Sequence, residues 1–252
     1  MHRFYLAPQH CSGDLLSLSG GEAHHALHVL RLRHGDEAAV LDGVGTEFLC
    51  NVESHSRDTV LLRIKKKTSA MPYPCQITLL VGIPKGKIIE SIIQKSVELG
   101  AHRIVPLLTE RAVIQLDDDQ AENKREKWQQ VAVEAIKQCG AAWLPEVATP
   151  TTIKAFLERQ EHFELALVGS LQKERRHPRD VFEAFRTTHG HPPKAAAIWI
   201  GPEGDFTPAE LSAIEGAGAQ PITLGNLTLR VETAAIYCLS VINYELSQRK
   251  SR

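Results

Sequence analysis

From Gln76 onward the apolar residues of this chain fall into two alternating periods, and no other feature constrains the fold as much. Ile77-Thr78-Leu79-Leu80-Val81 is a continuous apolar run of strand length. Over Lys87–Leu99, Ile88, Ile89, Ile92, Ile93, Val97 and Leu99 then recur at three- and four-residue steps, and Gly100 is placed as a helix stop. Ile104–Leu108 reads as strand. Residues 121–138 read as helix, with Trp128, Val131, Ala132, Ala135, Ile136 and Cys139 along one face and Gly140 at its end. Leu165–Val168 and Ala197–Ile200 are strand-like again. Thr207-Pro208-Ala209-Glu210 has the residues of a helix start, with threonine at the N-cap, proline at N1 and glutamate at N3. A last helix opens near Glu232 and runs through Leu239, Ile242 and Leu246. Buried strands alternating with helices predict an α/β domain, a largely parallel sheet with helices on both faces.

Residues 1 to about 70 follow another pattern. Ser19 and Glu22 have the spacing of a capping box, so a helix is expected from there to about Leu32. Short β-like runs follow at Ala38–Leu41, Phe48–Val52 and Thr59–Ile64, with Asp42-Gly43 and Ser56-Arg57-Asp58 as turns. Several short strands and one helix predict a small β-barrel. Lys65-Lys66-Lys67 and Met71-Pro72-Tyr73-Pro74 read as an exit strand and a linker. The expected division is therefore 1–70 and 75–252, which a chain of 252 residues accommodates.

Net charge is −1, so RNA or DNA binding would depend on a local patch rather than a global basic field. No apolar stretch approaches the roughly 20 residues needed to span a bilayer. Met1–Tyr5 has no apolar leader, so neither a membrane partner nor a signal peptide is expected. The five cysteines are odd in number, widely spaced and without a C-x-x-C pair, which reads as reduced thiols of a cytoplasmic protein.

Two loops follow strand-like runs in the last third. One is Ile200-Gly201-Pro202-Glu203-Gly204. The other runs from Leu224-Gly225-Asn226 through Leu229, Arg230 and Glu232 to Ala234. Ligands of open α/β sheets bind outside the carboxyl ends of the strands, and glycines there let the backbone approach closely. Arg230 is read as functional against the alternative of pairing with Glu232. Glu203 could act in the site or cap a turn. Gly82-Ile83-Pro84-Lys85-Gly86-Lys87 lacks the gap and the hydroxyl residue of a phosphate loop, and Gly43-Val44-Gly45 lacks the third glycine of a dinucleotide fingerprint. His24 and His28 share a helix face at metal-pair spacing, but further ligands are missing. The cluster with His25, Arg31 and Arg33 reads either as an exposed polar face or as an RNA contact. Lys173, Arg175 and Arg176, after Gly169-Ser170, could meet a polyanion or be a charged loop.

Taken in order, Arg3-Phe4, His24-His25 to Arg31, Gly35-Asp36, Lys95–Gly100, Thr109-Glu110-Arg111, Trp128 to Gly140, Ile200–Gly204 and Leu229–Ala234 resemble the bacterial 16S rRNA (uracil N3) methyltransferase family of the SPOUT superfamily. The resemblance runs essentially end to end. It implies an N-terminal PUA-like RNA-binding β-barrel and a C-terminal α/β methyltransferase domain with a deep trefoil knot. It also implies S-adenosylmethionine as cofactor, 16S rRNA of the small ribosomal subunit as partner, and a homodimer whose interface the final helix helps to form; no metal is expected, for want of ligands beside the histidines. Carried over, the cofactor would lie among Val168, Gly169 and Ser170, Ile200, Gly201, Pro202 and Gly204, and Leu224, Gly225, Asn226 and Leu229. Arg230, Glu232 and Glu203 would be catalytic, and His24, His25, Arg31, Arg33 and Arg111 would face RNA. The chain departs from the family pattern at Asp205, where a second glycine is usual, at Asn226-Leu227 in place of Pro-Arg, and at Ala141 in place of arginine. A non-catalytic RNA-binding or assembly protein that keeps the fold, or a methyltransferase for another RNA, are the alternatives.

Overall fold

The structure, a computed structural model, describes residues 1–111, 116–171 and 175–246. It divides into two compact units, Met1–Pro72 with Val133–Leu144, and Tyr73–Ala132 with the remainder from Pro145.

In the first unit, β1 (His2–Tyr5), β2 (Leu15–Ser19), α1 (Gly20–His24), β3 (Glu37–Leu41), β4 (Thr46–His55) and β5 (Thr59–Ser69) follow in order. The sheet order is β1-β3-β4-β5-β2, with β1 parallel to β3 and the other pairs antiparallel. Phe4, Leu16, Leu18, Val40, Phe48, Val52, Val60 and Leu62 form its core. β1 and β2 are not among the strands expected from the sequence. The helix expected to reach Leu32 is only one turn of α-helix followed by a π-turn over His25–Val29, and Arg31 beyond it has a φ of +54°. The expected capping box is not formed, since the Ser19 side chain caps nothing. Glu22 is drawn away instead: its Oε1 accepts a hydrogen bond from Lys137 Nζ at 2.8 Å.

The second unit contains β6 (Gln76–Gly82), α2 (Ile88–Glu98), β7 (Arg103–Leu108), α3 (Asp118–Cys139, whose last turns belong to the first unit), β8 (Glu146–Val147), β9 (Thr151–Thr152) and α4 (Ile153–Leu157). It continues with β10 (Leu165–Gly169), α5 (Pro178–His189), β11 (Ala195–Ile200), α6 (Pro208–Gly216), β12 (Gln220–Ile222) and α7 (Val231–Leu246). Its strands run β12-β10-β11-β6-β7-β8, with β9 on β7, and every pairing is parallel. Leu80, Val105, Leu107, Val168, Ala197, Trp199, Phe206 and Ile214 are buried together, and Trp199 meets the Phe156 ring edge-on at 5.4 Å. The Thr207–Glu210 capping box forms as read. Helix α5 was not anticipated, although Pro178 at N1, Val181, Phe182 and Phe185 on one face, and Gly190 at a φ of +74° are its sequence signals.

Candidate active site

Because β12, β10 and β11 are neighbours and parallel, their carboxyl ends lie side by side. The three loops leaving them close around a cavity of about 270 Å³. Gly169 and Ser170 come from β10, Ile200, Gly201, Pro202 and Glu203 from β11, and Leu224, Gly225 and Leu229 from beyond β12. Arg230 and the first turn of α7, through Val231 and Ala234, complete the wall. Of the expected site residues, Val168, Gly204, Asn226 and Glu232 do not line it. Val168 is fully buried inside β10, and Asn226 is exposed at the tip of its loop.

The wall also holds residues that the sequence did not single out for the site. Leu171, Leu227 and Thr228 add to it, and so does Asp205. Arg175, read only as a candidate polyanion contact, lines the cavity and donates to the Ser170 carbonyl at 3.1 Å. Arg176 is spent on structure: its guanidinium donates to Gln220 Oε1 and the Asp180 carbonyl, and its backbone bridges Ile222. Lys173 lies outside the described residues. Arg230 has no ion-pair partner among the described residues, so it is not paired with Glu232.

Three contacts brace the loop after β11. Glu203 Oε1 accepts from the Lys85 backbone N–H at 3.1 Å, which joins the loop after β6 to the loop after β11. Gly82 lies under Pro202 so closely that a Cβ would come within 2.6 Å of the proline nitrogen. Arg111 donates to the Gly204 and Phe206 carbonyls at 2.7 and 3.4 Å. Gly225, at a φ of +108°, donates its N–H to Thr223 Oγ1 and turns the third loop. Among the residues expected to face RNA, His24, Arg31 and Arg33 are exposed in the first unit. His25 is half-buried, edge-on to Phe4.

A family described as the RNA methyltransferase domain matches residues 71–243, and one described as the RNA methyltransferase PUA domain matches residues 18–65. This chain belongs to the RNA methyltransferase family. Within that family it is 34% identical to the ribosomal RNA small subunit methyltransferase E of Bacillus subtilis, over 91% of this chain and 90% of that protein. It is 33% identical to the Synechocystis protein of the same name, over 96% and 77%. A Legionella pneumophila methyltransferase solved with bound S-adenosylmethionine superposes with a TM-score of 0.85 at 32% identity, covering 96% of each chain. The Neisseria gonorrhoeae methyltransferase E, also solved with S-adenosylmethionine, does so at 0.84 and 28%, covering 97% of each. Among the described residues, no helix is long and apolar enough to cross a membrane.

Proposed function

We propose that this chain transfers the methyl group of S-adenosylmethionine to N3 of a uridine in 16S rRNA of the small ribosomal subunit. The observation that carries this reading is the cavity itself: in a chain of the RNA methyltransferase family, three glycine-bearing loops and Arg230 surround one space. The names of the similar proteins support the substrate, and the two solved relatives with bound S-adenosylmethionine support the cofactor.

The wall fits such a cofactor. Leu171, Leu224 and Leu227 offer an apolar surface to an aromatic base, and the absence of side chains at Gly169, Gly201 and Gly225 lets a ligand approach the main chain. Val168, Gly204 and Asn226 support these loops from outside the wall. Bound there, the sulfonium supplies an electrophilic methyl group.

Uridine N3 is a nucleophile only after losing its proton, and the resulting charge spreads onto the flanking carbonyl oxygens. The Arg230 guanidinium stabilises that charge. The positive end of α7, a helix of 16 residues whose first turn lines the cavity, adds to it. Among the described residues, neither carboxylate expected beside it is paired with Arg230: Glu203 is committed to the Lys85 N–H, and Glu232 lies outside the wall. A carboxylate is a weak base for this step, so in-line placement of the base supplies most of the acceleration. The target base leaves its stack to reach the cavity. His24, His25, Arg31 and Arg33 supply RNA affinity that falls as salt rises, while Arg111 braces the cavity.

The reading includes a cytoplasmic protein, a trefoil knot built from the loops around the cavity, and a homodimer formed through the exposed Tyr237 and Tyr244 face of α7. The test is transfer of labelled methyl to small subunits lacking the modification, with Arg230→Ala beside the wild type. The wild type is expected to label them, and the variant to fall by a factor on the order of 100 or more. Cofactor binding without labelling would move the target to another RNA, and absence of cofactor binding would favour the non-catalytic reading.

A further inference from the structure

Asp205 occupies a backbone position that favours glycine. Its φ is +59°, in the left-handed region that aspartate tolerates because its short side chain bonds locally. Here Oδ1 accepts from the Phe206 N–H at 2.8 Å. A Cβ on Gly201 would lie 2.8 Å from the same oxygen, so the carboxylate rests directly over Gly201, and both residues line the cavity.

Among the described residues, the wall carries four ionisable side chains: Arg175, Glu203, Asp205 and Arg230. Glu203 gives one oxygen to Lys85, and Arg175 is turned onto Ser170. Asp205 keeps its second oxygen without a hydrogen-bond partner among the described residues.

Resting on the reading that this cavity holds S-adenosylmethionine, we infer that the Asp205 carboxylate makes the site prefer the methyl donor over its demethylated product, S-adenosylhomocysteine. Donor and product differ at sulfur by one positive charge, a sulfonium against a neutral thioether. A fixed carboxylate in the wall attracts the first and is indifferent to the second. Together with Glu203 it also offsets the two arginines of the wall, which would otherwise repel a cationic ligand. Asp205 is half-buried, so water screens the attraction to a preference of roughly threefold to tenfold.

The test is calorimetric titration of wild type, Asp205→Asn and Asp205→Gly with each ligand alone. Both replacements suit a positive φ, and thermal melting checks that both variants fold. The wild type is expected to bind the donor more tightly, and both variants to lose a similar factor, about threefold to tenfold, from the ratio of the two Kd values. A ratio unchanged within about twofold in both variants overturns the inference. So does a change in Asp205→Gly alone, which would assign the effect to the backbone. Both ligands binding normally while the ratio stays fixed leaves the cofactor reading standing. A wild type that binds neither ligand removes that reading and this inference together.

Discussion

The Arg111 guanidinium donates to the Gly204 carbonyl at 2.7 Å, bridging 93 positions of sequence to grip the loop that carries Gly201 and Glu203. Glu210 reinforces the grip, because its Oε1 accepts from the Glu110 N–H at 2.8 Å while its Oε2 closes the cap of α6. An arginine expected to face RNA is thereby placed as a brace of the cavity. Arg111→Ala should raise KM for the methyl donor about tenfold, the scale of one lost charge-assisted hydrogen bond. Arg111→Lys should restore part of it. A change confined to KM for RNA and its salt dependence would return Arg111 to the RNA surface.

Gly82 is the last residue of β6, and any side chain there collides with Pro202. Gly82→Ala must push the loop after β11 outward. Overpacking of this kind costs about 1–3 kcal/mol. Thermal melting should register that loss, and donor affinity should fall more than in a surface control.

Glu203 holds the Lys85 N–H, and a glutamine oxygen can accept the same bond. Glu203→Gln should therefore keep activity within about tenfold of wild type and leave the pH–rate profile in place. Glu203→Ala should lose more. A collapse of the glutamine variant together with an altered profile would identify Glu203 as the proton acceptor.

Lys137 is buried between Glu22 and Glu134, at 2.8 Å from each. Burial pushes its ammonium down, yet the hydrogen bonds to Glu134 and Glu22 outweigh this and hold it above the ordinary 10.5. A raised folded value means that its stabilisation is complete below 10.5 and disappears as pH climbs through the folded value. Lys137→Met should cost roughly 2 kcal/mol at neutral pH, less than for a fully buried pair because Glu134 is half exposed. The gap in Tm between variant and wild type should close in alkali.

Burial pushes the Cys75 and Cys238 thiols up to about 12, and those of Cys11 and Cys50 to about 11. At neutral pH these four are protonated and poor nucleophiles. Cys139 is exposed. Brief treatment of the native protein with iodoacetamide, read by peptide mass spectrometry, should modify Cys139 first, and the other four only after denaturation.

The strand and helix periods, the capping box at Thr207 and the glycine loops at two strand ends were all legible in the sequence, because each depends on residues a few positions apart. The same local reasoning failed at Ser19. There Glu22 satisfies the local motif but pairs with Lys137, 115 positions away. The sequence alone determined that a parallel α/β unit follows a smaller β-rich one, and that loops after its strands bear glycines and charges. Only the tertiary structure decided that β12, β10 and β11 are neighbours, so that three loops share one cavity. It alone attached Val133–Leu144 to the first unit and turned Arg111 and Glu203 into braces. Those outcomes rest on sheet order and on hydrogen bonds spanning about a hundred residues, which no local period encodes.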